Sequence, residues 1–588
     1  MIDKIGADGA AKTIASEDKQ LYEPVQNIEI SKLLQGYAPL EALEQQNPVI
    51  LAVEESSLPA PHVRVSFRFG EGEEVQHNAY FPPVENWTKR FIQSAHPFLG
   101  VDVESPKLEF YLSEGAYTVT VPIGVMGYQS YASSAHVART IARNLYSYSG
   151  RIYGYLYGGS GGSMQAIGAL ESETVNMWDG IVPFIVASSA SLGNFDIRLF
   201  ARMVLESKGS QISDALKPGG SGDPYATLNE LETEIFDEVT MLGLSLKAWE
   251  NYEYLFLMHD YPTLEESLNA SGVINEAYTY SFWNEPGYLE AYHPDHKDLF
   301  YELRERGVSE RALAKIAYHR HKDPGPKFHT WDHLRDSNGS PIYAQTQGDH
   351  YSMQMTEITS GGGKWTGNIH CKAIACVMQK DADAYPSDGN YYRERVKEMG
   401  LEDNFRLWFN ESADHHEIHE GYRAYLNDRL ISFTGILEQA LMDLGNWVEN
   451  GIEPPKSTEY EVVRNQLVIA DAGRERGGIQ PMVSLTVDGA SVSRIALGET
   501  VHLTALMQAP LGAGEIISVE WDFLGNGNFA QGTFESQPDG SWISEAAYSY
   551  PESGTYFPRV RVALNREGDQ SKKFRKVCNM ASARVIAG

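Results

Sequence analysis

Cysteine is scarce: Cys371, Cys376 and Cys578 are the only three in 588 residues. That excludes a disulfide framework and any four-cysteine zinc site. A Cys371–Cys376 bridge would need Cα atoms within about 7 Å. A strand between them would hold them further apart, so free buried thiols are expected. Long apolar runs are also missing. No stretch of about 18 apolar residues occurs, so no membrane-spanning helix is expected. The polar amino-terminal MIDKIGADGAAKTIASEDKQ lacks the apolar core of a signal peptide. Positive charge is short as well, with 48 Lys and Arg against 79 Asp and Glu, a net charge of −31. Such a surface repels nucleic acid and anionic membranes, and no basic run offsets it, so neither is an expected partner.

A hydrophobic fraction of 42% and an aromatic fraction of 11% are those of a folded globular chain. At 588 residues it is too long for one core. After a polar lead-in (1–48) with one helical stretch, ISKLLQGYAPLEALEQQ, alternating strands run from Val49 to Phe81. A turn at Asn86 enters a buried strand, followed by the loop Ser94-Ala95-His96-Pro97-Phe98. Tyr117–Val125 reads as a strand, Ser134–Tyr146 as a serine-capped helix, Arg151–Tyr157 as a strand, and Ser163–Leu170 as the start of a helix. This alternation predicts a parallel α/β sheet. Residues 191–363 are helix-rich and lack strand alternation, as expected of a lid inserted into a catalytic domain formed by 49–190 and 364–455. Sheet character returns at KAIACVM and FRLWF, and the helix Ile431–Asn450 stops at Gly451. A linker is expected over 456–480. From 481 to 588 short strands separated by turn residues predict an all-β sandwich.

The chemistry concentrates at Gly158-Gly159-Ser160-Gly161-Gly162, between a predicted strand and a predicted helix. A nucleophilic serine on that junction needs a sharp, strained turn with nearly side-chain-free residues two places either side. The Gly161 N–H then lies at the helix N-terminus, where an oxyanion would form. The same glycines lack the Lys-Ser/Thr of a phosphate-binding loop and miss the spacing of a dinucleotide motif. A second oxyanion donor is expected from the loop at Ala95 and His96; His96 could equally contact substrate or be structural. In α/β-hydrolases the order along the chain is serine, acid, histidine. The histidine is expected after FRLWF, in NESADHHEIH, with His415 preferred and His416 as the alternative. The pair His415 and His419, at i and i+4, also admits a metal site, but the order of elements fits a triad better. The acid is expected after KAIACVM, where Asp381 and Asp383 both qualify and Asp388 is less well placed.

These residues resemble the tannase and feruloyl esterase family. Asn86-Trp87-Thr88-Lys89-Arg90-Phe91 is similar to the family's entry to the oxyanion strand. Tyr157-Gly158-Gly159-Ser160-Gly161-Gly162 with Trp178-Asp179-Gly180-Ile181-Val182 is similar to its serine elbow and following strand. Phe405-Arg406-Leu407-Trp408, then His415 and the closing Asn446-Trp447-Val448-Glu449-Asn450-Gly451, match its histidine loop and last helix. The resemblance implies an α/β-hydrolase fold with a lid, hydrolysis of carboxylic esters, often of aromatic acids, and Asp381 as the acid. Gly159 and His416 stand where the family carries paired cysteines, so that bridge cannot form, and its calcium loop is not visible. No cofactor or metal is therefore called for, and the partner is a small or polymer-borne ester. Rival readings are an amide, lactone or polyester hydrolase with the same triad, and a binding protein on a hydrolase scaffold. Trp521-Asp522-Phe523-Leu524-Gly525-Asn526-Gly527 and Tyr548-Ser549-Tyr550-Pro551 resemble the PKD domain. Such modules favour a secreted or periplasmic protein whose signal is absent here, with a cytoplasmic one as the alternative.

Overall fold

The computed structural model describes residues 22–25, 28–43, 47–70, 76–97, 103–122, 126–188, 191–274, 276–286, 288–289, 294–321, 359–418, 426–471 and 473–588. The chain folds into two compact units, Met1–Phe184 with Met355–Ala373, and Ile185–Gln354 with Ile374–Gly588.

In the first unit the strands are β1 (Glu23–Pro24), β2 (Pro48–Ser56), β3 (His62–Phe69), β4 (Gln76–Phe81), β5 (Arg90–Ala95), β6 (Ala116–Val119), β7 (Tyr153–Ser160) and β8 (Gly180–Val186). They lie in the order β1-β2-β3-β4-β6-β5-β7-β8. β2, β3, β4 and β6 pair antiparallel in succession, whereas β5 runs parallel to both β6 and β7. All seven residues of β8, GIVPFIV, are buried, the continuous apolar run of a strand covered on both faces. The longer helices are α1 (Ser105–Ser113), α2 (Gln129–Leu145) and α3 (Gly161–Ser172).

Several boundaries differ from the sequence reading for local reasons. The amino-terminal helix is cut to Ile30–Leu33 ahead of Gly36 at φ 78°. β6 stops at Val119, short of Pro122, and 123–125 lie outside the described residues. Helix α2 begins at Gln129, so Ser134 is not its cap; its hydroxyl instead donates to Ser130 O one turn back at 3.1 Å.

The second unit holds the neighbouring strands β9 (Lys372–Met378) and β10 (Phe405–Asn410). The described helices between β8 and β9 include α4 (Ser191–Leu205), α5 (Gly209–Leu216), α6 (Glu230–Met241), α7 (Leu264–Ala270), α8 (Glu276–Asn284), α9 (Pro294–Glu305) and α10 (Glu310–His321). They surround their own apolar core, with Phe200, Phe236, Trp249, Phe256 and Phe300 fully buried, and Ala382 and Tyr385 from the loop after β9 join it. Helices α11 (Pro386–Glu398) and α12 (Thr434–Asn450) flank β10 in sequence, and α12 ends at Gly451, which adopts φ 69°. None of the described helices is long and apolar enough to cross a membrane.

The described residues of 456–480, expected to be a linker, are built into this unit. Thr458 N–H donates to Leu407 O at 2.9 Å and Ser457 Oγ accepts from Leu407 N–H at 3.0 Å, so the segment runs along β10. A hairpin of β11 (Tyr460–Val463) and β12 (Gln466–Ile469) follows. Its Gln466 bonds Thr240 O, Leu244 O and Leu246 N–H at 2.8, 3.1 and 2.9 Å. The sequence misses this because polar side chains that look solvated find backbone partners far along the chain.

The C-terminal sandwich has β13 (Met482–Val487), β14 (Val492–Ile495), β15 (Thr500–Gln508), β16 (Glu515–Asp522), β17 (Ala530–Gln531), β18 (Glu535–Ser536), β19 (Trp542–Ser549), β20 (Gly554–Tyr556), β21 (Arg559–Asn565), β22 (Val577–Ser582) and β23 (Arg584–Ala587). Its sheets run β13-β15-β19-β18, β17-β16-β21-β22 and β14-β23-β20. β15 alternates exposed and buried residues, and its inward Val501, Leu503, Ala505 and Met507 are all 0% exposed.

Candidate active site

Ser160 ends β7 and precedes α3 with φ 55° and ψ −122°, a conformation that costs a non-glycine residue of order 1–3 kcal/mol. The flanking glycines show why the strain is held. A Cβ on Gly162 would come within 1.9 Å of Ala95 O, and one on Gly158 within 2.1 Å of Gly162 O. Strand β5 thus presses directly on the turn, in register Ala95 to Gly158. Ser163 closes the turn by donating to Ser160 O at 2.6 Å. A serine at positive φ between a strand and a helix is the sharp, strained turn expected at this position from the sequence. Gly161 is the first residue of α3, where a backbone N–H has no partner within the helix.

The other oxyanion candidates are placed differently. Ala95 is fully buried at the end of β5. His96 N–H donates to the Tyr131 hydroxyl at 3.0 Å, and that hydroxyl donates to His96 O at 2.8 Å. Both bonds are to the His96 backbone, which they brace from α2. Gln93 Nε2, donating to Tyr131 O at 3.1 Å, ties the same helix to β5. Asp179, of the motif after the elbow, accepts from Gly154 N–H at 2.9 Å and so joins β8 to β7.

In the second unit Asp381 and His415 meet. His415 Nδ1 lies 2.9 and 3.1 Å from the two Asp381 carboxylate oxygens. Asp381 Oδ1 also accepts from the N–H groups of Asp383 and Ala384 at 2.7 and 2.8 Å. Those bonds orient the carboxylate, and Lys380 N–H to Ala413 O at 3.0 Å joins the acid loop to the histidine loop. Burial disfavours charge on the imidazole, but the Asp381 carboxylate overrides it and, with Asp383 and Asp414, raises His415 to about 9.

The alternatives have other partners. Asp383 pairs with the buried Arg198 guanidinium and accepts from Tyr254 OH at 2.6 Å. Although burial opposes it, Arg198 holds this carboxyl well below the usual range. His416 Nδ1 lies 3.1 Å from Tyr254 OH. Asp388 accepts from Ser188 N–H at 3.0 Å and Ser191 Oγ at 2.6 Å, and burial raises it to about 6. Arg198 and Tyr254 were not found from sequence, although an arginine inside the apolar helix SLGNFDIRLFARMVL was a usable signal, since a buried charge needs a partner.

Asp381, Asp383 and His415 offer ligand atoms within 4.8 Å of one another. Arg198 already neutralises Asp383, so this donor set does not suit a cation. His419 lies outside the described residues. Cys371 and Cys376 are free thiols, and burial raises the pKa of both.

No curated protein sequence matches the chain. Among solved structures it is similar to feruloyl esterase B from Aspergillus oryzae, at 12% identity and TM-score 0.36, covering 76% of this chain and 95% of that one. It is similar to a tannin acyl hydrolase from Aspergillus niger at 12% identity and TM-score 0.37, over 75% and 92% of the two chains. For Candida antarctica lipase A in its closed state the values are 10% identity, TM-score 0.30, and 70% and 83% coverage. Residues 484–577 match the PKD domain family, and the C-terminal sandwich is a PKD domain.

Proposed function

We propose that the protein is a serine hydrolase of carboxylic esters, with Ser160 as nucleophile, His415 as general base and Asp381 as the acid that orients it. The observation that carries this reading is the strained φ of 55° at Ser160, at the head of α3 between glycines that admit no side chain. Strain of that kind persists only where the surroundings impose it, and it aims the hydroxyl out of the turn. The Asp381–His415 pair and the chain order serine, acid, histidine support the same assignment.

In this reading Asp381 holds the proton on Nδ1, which leaves Nε2 to accept the Ser160 proton as Oγ attacks the ester carbonyl. The Gly161 N–H stabilises the oxyanion, the imidazolium returns the proton to the leaving alkoxide, and water cleaves the acyl-enzyme by the same base. The motif resemblance favours esters of aromatic acids, with the helical segment after β8 as a lid that shapes the pockets.

A fluorophosphonate probe is expected to label wild type and not Ser160→Ala. Unlabelled wild type is expected to hydrolyse members of a panel running from p-nitrophenyl acetate to hydroxycinnamate and gallate esters, and to lose that activity as the probe reacts. No labelling of wild type would overturn the hydrolase reading, and labelling with turnover only of amides or lactones would move the bond class.

A further inference from the structure

Resting on the hydrolase reading, we infer that the PKD domain is a structural part of the catalytic machinery, and that Arg559 and Asn579 are positioning residues for the Asp381 and His415 loops. Each loop is gripped one to five residues from its functional side chain.

On the histidine side, Ser412 Oγ donates to Asn579 Oδ1 at 3.0 Å, and Asn579 Nδ2 lies 3.3 Å from Glu411 Oε2. Asn579 sits on β22, is 3% exposed, and is itself fixed by donating to Pro481 O at 2.8 Å. Gln480, just ahead of the first sandwich strand, donates to Asn410 Oδ1 at 2.7 Å and accepts from Glu411 N–H at 2.9 Å. On the acid side, Lys380 precedes Asp381 and donates to Glu250 Oε2 and, at 2.8 Å, to Arg429 O. Arg559 on β21 donates to the other Glu250 oxygen at 3.2 Å and is 5% exposed.

β21 and β22 are paired neighbours, with Arg559 opposite Ser582 and Val562 opposite Asn579. Two adjacent strands of one sheet therefore reach the histidine loop directly through Asn579 and the acid loop through Glu250, which Arg559 and Lys380 share. A module serving only to bind a distant ligand needs no buried polar bonds to its neighbour, and each of these bonds costs desolvation if its partner is lost. The 456–480 segment, docked rather than slack, is consistent with a fixed sandwich.

The test uses full-length protein carrying Asn579→Ala, Arg559→Met or Arg559→Lys, with Leu503→Ala as a control. That change opens the sandwich core at a β15 residue whose strand partners are Val487 and Ala546 and neither positioning residue. Displacing the base should lower kcat in Asn579→Ala by about tenfold or more, leave KM within about twofold, and move the His415 limb of the pH profile. Arg559→Lys keeps a cation beside Glu250 and should recover most of what Arg559→Met loses. Leu503→Ala should lower Tm at least as far while keeping kcat and the pH profile. Activity falling only in proportion to Tm in all variants, with an unmoved profile, would overturn the inference. Titration of the His415 imidazole by NMR, assigned with His415→Gln, separates the two readings. A wild type that takes no probe and cleaves no ester, yet whose His415 titration shifts in Asn579→Ala, loses the hydrolase reading and keeps the positioning. An active wild type whose titration is untouched by the variants loses the positioning alone.

Discussion

At the scale of single residues, two aspartates two positions apart take opposite duties because of what faces them. Asp381 faces an imidazole, whereas Asp383 faces a guanidinium and a phenol. Asp381→Asn is expected to lower kcat by about 10⁴-fold while the protein stays folded. Asp383→Asn leaves Arg198 buried without its counter-charge, so its loss is expected in stability, about 3–5 kcal/mol, before activity. Steady-state kinetics beside thermal melts distinguish them, and a dead but stable Asp383→Asn with an active Asp381→Asn would reverse the roles. The raised pKa of His415 carries a pH signature. A general base works only when unprotonated, so kcat/KM should climb through a limb near 9 rather than near the ordinary 6.5 or so. Because that pKa lies above the unfolded value, His415 adds stability that is present at about pH 6.5 and lost as pH rises through about 9. In acid the pair is lost again as Asp381, raised by burial, takes up its own proton.

At the scale of elements, the elbow is a packing problem solved by glycine. Gly162→Ala places a Cβ 1.9 Å from the backbone oxygen of Ala95, so either β5 or the turn must move. A loss of about 3 kcal/mol or more is expected, together with loss of probe labelling. At Gly161 the nearest atom is Pro97 Cγ at 3.1 Å, a neighbour that can give slightly. Gly161→Ala should therefore fold with only a small change in Tm, and equal melts for the two variants would refute this account of the turn. The strand and helix on either side were legible because the apolar run of β7 and the pattern of α3 are local. The start of α2 was not, because Ser134 resembles a cap and only the fold shows it bonding back to Ser130.

At the scale of the molecule, charge in excess on the surface is answered by compact ion clusters inside the second unit. Burial alone would raise Glu250 and Glu411. Lys380 and Arg559 instead hold the first at about 2, and Lys247 and Arg476 hold the second at about 2. Both pKa values lie below that of an unfolded glutamate, about 4.3. Their stabilisation is thus complete above that pH and is lost as pH falls from there through about 2. Unfolding free energy measured between pH 5 and 2 should fall steeply in wild type and less steeply in Glu411→Gln, whose amide has no proton to take up. An unchanged slope would remove Glu411 from the acid transition.

The sequence by itself determined the strand and helix alternation, the glycine-flanked Ser160, the all-β character after residue 480 and the two short loops that hold the acid and histidine candidates. Each of these is written in local periodicity or in residues that a turn demands. Only the tertiary structure decided between Asp381 and Asp383 as the partner of His415, assigned the His96 backbone to Tyr131, and turned the supposed linker into a docked segment. Those outcomes depend on Arg198, Tyr131, Leu407 and Gln466, partners 35 or more residues away along the chain. Hydrogen bonds and ion pairs of that range leave no periodic trace in the sequence, because burial of the whole fold selects which polar groups must meet.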